Sequence, residues 1–452
     1  MNEPNDKHWT SQDKGCYIEK DNLNNEISVC ISGGGLRAAV SACGWMNGLK
    51  EIGVTPKYIS TVSGSSWFNL PYYYIDDIET YLGNYIEPEN CTVENVTEFL
   101  NSKLSFESTI YNSDILVNMM YFQNWVRVIS TQFFSPYDLH DMNIIGLQEI
   151  KKEKPYPIIN SNEVILYDVR KFYPVEFTPL YHRYVCDDYF IKPHNLKDSR
   201  QISISEQASF SSGVIPAVFG AVRPPKLSLD LISNVSSLLL RSVVEPSNSH
   251  IYPRLHPFEN KIIDTVYCDG GCSDNTGILP LIRRGEKKII CLYSCKSDVE
   301  CSTFGNLNYT GDIAGLFGKA FGRDQFITRN ISIDEYNKQR KIFDSSLYDE
   351  FRNKLIASKR NGDAVHCLFE GDVIPNSYVG VKQTYRVKIL FILTCRFGGW
   401  LNKIPNELFE KLPKEFPNIP TIKNKYTPEL IGGLKQMSSY QIVSLKDTIK
   451  NL

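Results

Sequence analysis

The sequence predicts an α/β fold with a mostly parallel central sheet flanked by helices and a helical insertion. Three observations point there. A short β-branched run, ISVCI, is followed by SGGG, a stretch of helical spacing and a second apolar run, YISTV. Further apolar runs at 262–268, 288–293 and 387–394 come later, the first two separated by a glycine-rich loop and a short helix at 279–284. No internal repeat and no long linker divides the 452 residues, so a single core with one sheet is the simplest packing.

The first unit is the clearest. Residues 27–31 read as a strand buried on both faces. After the glycines, Leu36, Ala39, Val40, Cys43, Met46 and Leu49 recur at helical spacing until Gly53 and Pro56 close the helix. Residues 58–62 form the next strand, and a strand–helix–strand crossover of this kind places its strands parallel. Residues 70–150 turn helical, with the aromatic stretch 115–134 the strongest element. That stretch reads as a core helix, or else as a lid or interfacial helix at a membrane surface. A strand is expected at 164–167 and a helix over 202–219 ending around Pro216. Residues 223–260 read as irregular, 296–380 resist placement, and a basic, proline-punctuated tail closes the chain. Residues 1–25 read as a polar lead-in, and 26–452 as a single domain.

Composition narrows the function. With 49 basic and 51 acidic residues and no long run of one sign, nothing suggests a nucleic-acid partner. The polar N-terminus lacks the apolar segment of a secretory signal. The 115–134 stretch is too interrupted to span a bilayer, so a cytoplasmic protein, peripheral on membranes at most, is expected. The 12 cysteines are too sparse for a disulfide framework. Cys268/Cys272 and Cys291/Cys295 invite a zinc reading, but the spacing is not that of a zinc finger; buried thiols are the default, with no metal and no cofactor.

Chemistry concentrates in three places. Ser63 follows a buried strand and precedes Gly64-Ser65-Ser66-Trp67. Small neighbours there permit the sharp turn that exposes a nucleophilic Oγ, although a serine at this place also serves as a helix N-cap. Gly33, Gly34 and Gly35 leave backbone N–H groups uncovered at a helix N-terminus, which suits an oxyanion, and Arg37 in the first turn suits a phosphate. These glycines also satisfy a dinucleotide fingerprint, but the second strand ends in Ser63 and offers no acidic residue for a ribose. Asp269 ends an apolar strand ahead of Gly270-Gly271; in a parallel sheet it would share the edge with Ser63. Asp264, inside the strand, and Asp274, beyond the glycines, are its local rivals. None of the seven histidines has a recognisable catalytic context.

SGGGLRA, VSGSSW and DGG, in that order, resemble the catalytic segments of the patatin-like and cytosolic phospholipase A2 family, and PVEFTPLY at 174–181 is similar to another segment of that family. The resemblance implies a three-layer fold and a lipid acyl hydrolase acting on phospholipids or lysophospholipids at a membrane surface. Ser63 would be the nucleophile, Asp269 its base, Gly33, Gly34 and Gly35 the oxyanion hole, and Arg37 the phosphate contact. Thr61 departs from the family's first elbow glycine. No calcium-binding module precedes the catalytic region, so calcium-independent action is expected. An oxidoreductase using the glycines and a catalytically silent lipid-binding module are the alternatives.

Overall fold

The computed structural model describes residues 17, 19, 23–115, 125–139, 151, 153–165, 168–180, 182–184, 189–191, 203–212, 252–256, 261–298, 311–320, 332–421, 423 and 425–452. Its strands are β1 (Ile27–Ile31), β2 (Tyr58–Val62), β3 (Tyr156–Ile165), β4 (Asp168–Phe177), β5 (His182–Tyr184), β6 (Tyr189–Ile191), β7 (Tyr252–His256), β8 (Lys261–Asp269), β9 (Lys288–Tyr293), β10 (His366–Asp372) and β11 (Arg386–Leu393). They form one sheet in the order β10-β11-β9-β1-β2-β3-β4-β5-β6, with β8 joined to β3 and β7 to β8. The centre, β11-β9-β1-β2-β3, is parallel. Antiparallel strands extend it on both sides. The expected α/β class and its parallel centre are therefore found.

Alternation along the central strands builds two cores. Val29, Ile31, Ile290, Leu292, Leu390 and Ile392 face one, shared with helix α1 (Gly35–Glu51) and helix Pro428–Ser444. Cys30, Ile289, Cys291, Ile389 and Phe391 face the other, beneath helices Leu279–Arg283 and Tyr348–Arg360. Period-2 alternation in strands apolar on both faces is what a sheet sandwiched between helix layers requires. The cysteines of the zinc reading lie in these cores or beside them, all buried.

Several expectations are corrected. Strand β3 begins at Tyr156 and ends at Ile165, so 164–165 is only its end, and Tyr167 lies outside the described residues. The polar run Asn160-Ser161-Asn162-Glu163 hid the strand, yet all four side chains are buried. Helix Ile204–Ser211 starts with a Ser203/Glu206 capping box; residues 213–219 lie outside the described residues. Within the basic, proline-punctuated tail, Pro428–Ser444 is a 17-residue helix buried against α1. Contact between the two is so close that a Cβ at Gly44 or Gly48 would overlap the carbonyls of Lys435 or Ser439. In the lead-in, Glu19 is fully buried and accepts from Arg284 Nε at 3.0 Å, while Tyr17 lies under that guanidinium. Residues 116–124 lie outside the described residues. The rest of the aromatic stretch, Trp125–Ile129 continuing through Phe134, buries Val128, Ile129, Phe133 and Phe134, as a core element does. Among the described residues, no helix is long and apolar enough to cross a membrane.

Candidate active site

Strand β2 ends at Val62, and the next residue turns sharply. Ser63 has φ 56°, a left-handed conformation uncommon for any residue but glycine and costing of order 1–3 kcal/mol. The surroundings hold it there. Ser65 Oγ sits 2.8 Å from the Val62 carbonyl and 3.1 Å from that of Ile31, and it accepts the Val62 N–H at 3.0 Å. Ser63 N–H donates to Ser211 Oγ at 2.9 Å. A Cβ at Gly64 would overlap the carbonyl of Gly35, so only glycine lets the turn press against the loop before α1. Helix α2 (Ser65–Tyr74) then leads away. Thr61, in place of a glycine, does not loosen the turn: its Oγ1 accepts from Ser66 Oγ and Asn69 Nδ2, both at 3.2 Å, and ties α2 back to β2.

The glycine loop closes the other side. Gly34 and Gly35 have φ 149° and 61°, which side-chain-bearing residues rarely adopt. A Cβ at Gly33 would lie 2.9 Å from that of Ser63. The three glycines are not equivalent. Gly33 N–H is taken by the Asn275 carbonyl at 3.2 Å, whereas Gly34 and Gly35 N–H make no hydrogen bond among the described residues. An oxyanion beside Ser63 would therefore be met by Gly34 and Gly35, at the positive end of α1.

Arg37 corrects the expectation attached to it. The side chain is 2% exposed. Its Nε donates to Ser294 Oγ at 3.0 Å, Nη2 to the Ser294 carbonyl at 3.1 Å, and Nη1 to the Ile419 carbonyl. Nη2 lies only 2.8 Å from where a Gly34 Cβ would be. The guanidinium thus ties the glycine loop to the segment after β9 and to 419, with Nε, Nη1 and Nη2 each donating to a protein oxygen.

Asp269 accepts the Ser63 hydroxyl at 2.9 Å through Oδ2 and the Gly271 N–H at 2.7 Å through Oδ1. It is 3% exposed. Burial pushes its pKa up to about 6, against the opposing pull of the Gly271 and Ser63 hydrogen bonds. Its rivals have other places. Asp274 accepts from Thr276 N and Oγ1 and from Leu279 N, closing its own loop; Asp264 lies inside β8, opposite Pro253. Of the histidines, only His366 has a described side chain, on edge strand β10, with Nδ1 2.7 Å from the Ala364 carbonyl.

The route by which Asp269 reaches Ser63 differs from the expected one. Strand β8 runs antiparallel to β3, so its C-terminal end would by itself point away from the sheet edge that carries Ser63. But β3 outruns β2. Val62 pairs with Asn160, and Asp269 pairs with the next residue, Ser161. The ends of β2 and β8 therefore meet head to head along one long strand. Asn160, Ser161 and Asn162 fasten both: Asn160 Nδ2 donates to Ser60 Oγ and the Thr61 carbonyl, Ser161 Oγ to the Cys268 carbonyl, and Asn162 Nδ2 to the Asp269 carbonyl. Sequence reasoning missed these residues and Ser211, Asn275 and Ser294. The one available signal was a polar run inside an otherwise strand-like segment.

With this geometry in view, the comparisons with known proteins are informative. The sequence profile of the patatin-like phospholipase family matches residues 29–282, more than half of the chain. No curated protein sequence matches. Among solved structures, human group IVD cytosolic phospholipase A2 superposes with a TM-score of 0.50 at 13% identity, over 96% of this chain and 60% of that one. Its complex with methyl gamma-linolenyl fluorophosphonate and terbium chloride gives 0.48 at 14% identity, over 96% and 60%. The chain therefore spans about 60% of the length of these structures, and at such identity the likeness is one of fold.

Proposed function

The chain belongs to the patatin-like phospholipase family, and from that premise we propose that it is a lipid acyl hydrolase in which Ser63 and Asp269 form a catalytic dyad. The observation that carries the proposal is the 2.9 Å hydrogen bond from Ser63 Oγ to Asp269 Oδ2, beside the N–H groups of Gly34 and Gly35, which make no hydrogen bond among the described residues.

In this reading, Ser63 Oγ attacks the carbonyl carbon of a fatty-acyl ester while its proton passes to Asp269 Oδ2. The carbonyl oxygen takes up negative charge against Gly34 and Gly35 N–H, each such donor worth about 2.7–4 kcal/mol. Collapse breaks the ester C–O bond, and the proton on Asp269 goes to the departing alcohol oxygen. Water then attacks the acyl-Ser63 ester with Asp269 again as base, releasing the fatty acid. An ordinary aspartate, with pKa about 3.9, is a weak base at neutrality. Burial, with no partner cation among the described residues, raises Asp269 to about 6, high enough to accept a proton and low enough to stand ionised at pH 7.

Phospholipid or lysophospholipid is the substrate class that the family supports, met at a membrane surface because a two-chain lipid is scarcely free in water. Residues 26–452 act as one catalytic domain in this reading. A fluorophosphonate serine probe, followed by peptide mass spectrometry, tests it together with fatty-acid release from lysophosphatidylcholine. Label on Ser63 and release of fatty acid are expected. A folded protein that takes no label and releases none would instead be a silent lipid-binding module.

A further inference from the structure

We propose that Ser211, the last residue of helix Ile204–Ser211, is the positioning residue of the dyad, holding the nucleophile with its side chain and the base loop with its main chain. The proposal rests on Ser63 being the nucleophile.

The hydroxyl of Ser211 works in both senses. It donates to the Asn160 carbonyl at 2.6 Å and accepts the Ser63 N–H at 2.9 Å. Its oxygen also lies 3.0 Å from Ser66 Oγ, whose own proton goes to Thr61 Oγ1. The Ser211 carbonyl accepts the Gly270 N–H at 3.2 Å, one residue beyond Asp269. Asn160, the other partner, pairs with Val62 at the junction where β2 and β8 meet. Ser211 therefore grips both strand ends from outside the sheet.

The grip falls on a strained residue. Ser63 has φ 56°, and its N–H, at the start of the turn, is held by Ser211 Oγ at 2.9 Å. With this acceptor gone, the turn relaxes, Oγ swings relative to Asp269 and the glycine loop, and a buried N–H is left unpaired. Misplacing a reacting atom by about 1 Å costs on the order of a hundredfold in rate. The Gly270–Ser211 bond uses only main chain, so a side-chain substitution disturbs the nucleophile and leaves the base in place.

The experiment compares Ser211→Ala with Ser211→Thr, which restores an oxygen, and with Ser209→Ala, whose lost hydroxyl bonds only within its own helix to the Ser205 carbonyl. The readouts are the rate of fluorophosphonate labelling and kcat and KM on a soluble short-chain ester, across pH. For Ser211→Ala, labelling and kcat should fall roughly 10- to 100-fold, with KM within about twofold and the pH midpoint unmoved. Ser211→Thr should recover most of the loss, and Ser209→Ala should match the wild type. Wild-type labelling by Ser211→Ala, or a threonine variant as slow as alanine, overturns the proposal. If the alanine variant does not fold, Ser211→Cys carries the test, sulfur being a weak acceptor; a folded cysteine variant that labels at the wild-type rate overturns it equally. A wild-type protein that takes no label at Ser63 refutes the dyad itself, a result distinct from either.

Discussion

Among the places where this molecule buries carboxyl groups, two do opposite things with them. Beneath helix Leu279–Arg283, Glu176 is fully buried and held by Arg283 Nη2 at 2.5 Å and Arg284 Nη1 at 2.8 Å, with Glu19 on the other side of Arg284 at 3.0 Å. Nearby, Glu286 pairs with Lys57 at 3.0 Å and accepts from Ser28 at 2.8 Å. Asp269 is as well hidden, but its contacts are a hydroxyl and a backbone N–H, with no cation among the groups that set its pKa. A buried carboxylate with matched cations is structural, because removing a partner strands a charge. A buried carboxyl without one keeps its proton to higher pH and becomes a base able to work near neutrality.

The largest expected effect breaks the second place. Ser63→Ala and Asp269→Asn should each lower ester turnover by at least about 10⁴-fold, and the double variant should lose little more, since the two act as a unit. Steady-state kinetics on folded, monodisperse protein would decide it; a histidine substitution of equal effect would replace the dyad with a triad. The next breaks the first place. Glu176→Gln should cost about 3–5 kcal/mol of unfolding free energy in denaturant titration while turnover per folded molecule stays unchanged. Lost turnover in fully folded Glu176→Gln would erase the distinction between the two places.

The third prediction sharpens the contrast through stability. The folded state holds the Asp269 proton to about pH 6, against 3.8 in the unfolded chain. Stability therefore falls as pH rises from about 4 to about 6 and stays lowered above. Asp269→Asn should remove that penalty and stabilise the fold at pH 7 by roughly 2–3 kcal/mol, opposite in sign to Glu176→Gln. The same titration governs activity: kcat/KM should drop about tenfold per unit below about pH 6 and level off above it. The smallest effect concerns Arg37. Arg37→Lys removes a forked tie behind the glycine loop, so kcat should fall about tenfold, equally on a lysophospholipid and on an uncharged ester. A loss confined to the phospholipid would show the guanidinium reaching substrate after all.

Legibility followed the local pattern. Strands β1, β2, β8, β9 and β11 are visible as short apolar runs, and helix α1 by its helical apolar spacing between glycines. Strand β3 was legible only at its end, because Asn160, Ser161, Asn162 and Glu163 look exposed in sequence and are buried in the fold. Helix Pro428–Ser444 was missed for a similar reason. Lys435, Gln436, Ser438, Ser439 and Gln441 break any apolar stripe, yet they are buried, Lys435 against Glu107 at 3.0 Å and Ser439 against the Gly44 carbonyl at 2.8 Å. Polar residues whose partners lie hundreds of positions away carry no local sign of burial.

By itself, the sequence determined the chemistry on offer: a serine after a buried strand, three glycines before a helix, and an aspartate at a strand end, each marked by short-range steric demands. Only the tertiary structure decided how these are used. It runs β8 against β3 and abuts it with β2, which makes Ser63 and Asp269 partners. It takes the N–H of Gly33 and leaves those of Gly34 and Gly35, and it turns Arg37 inward. It also brings Ser211, on a distant helix, to Ser63. The physical reason is range. Backbone conformation and strand burial are set within a few residues, whereas desolvation and hydrogen-bond pairing depend on which distant segments close around a group.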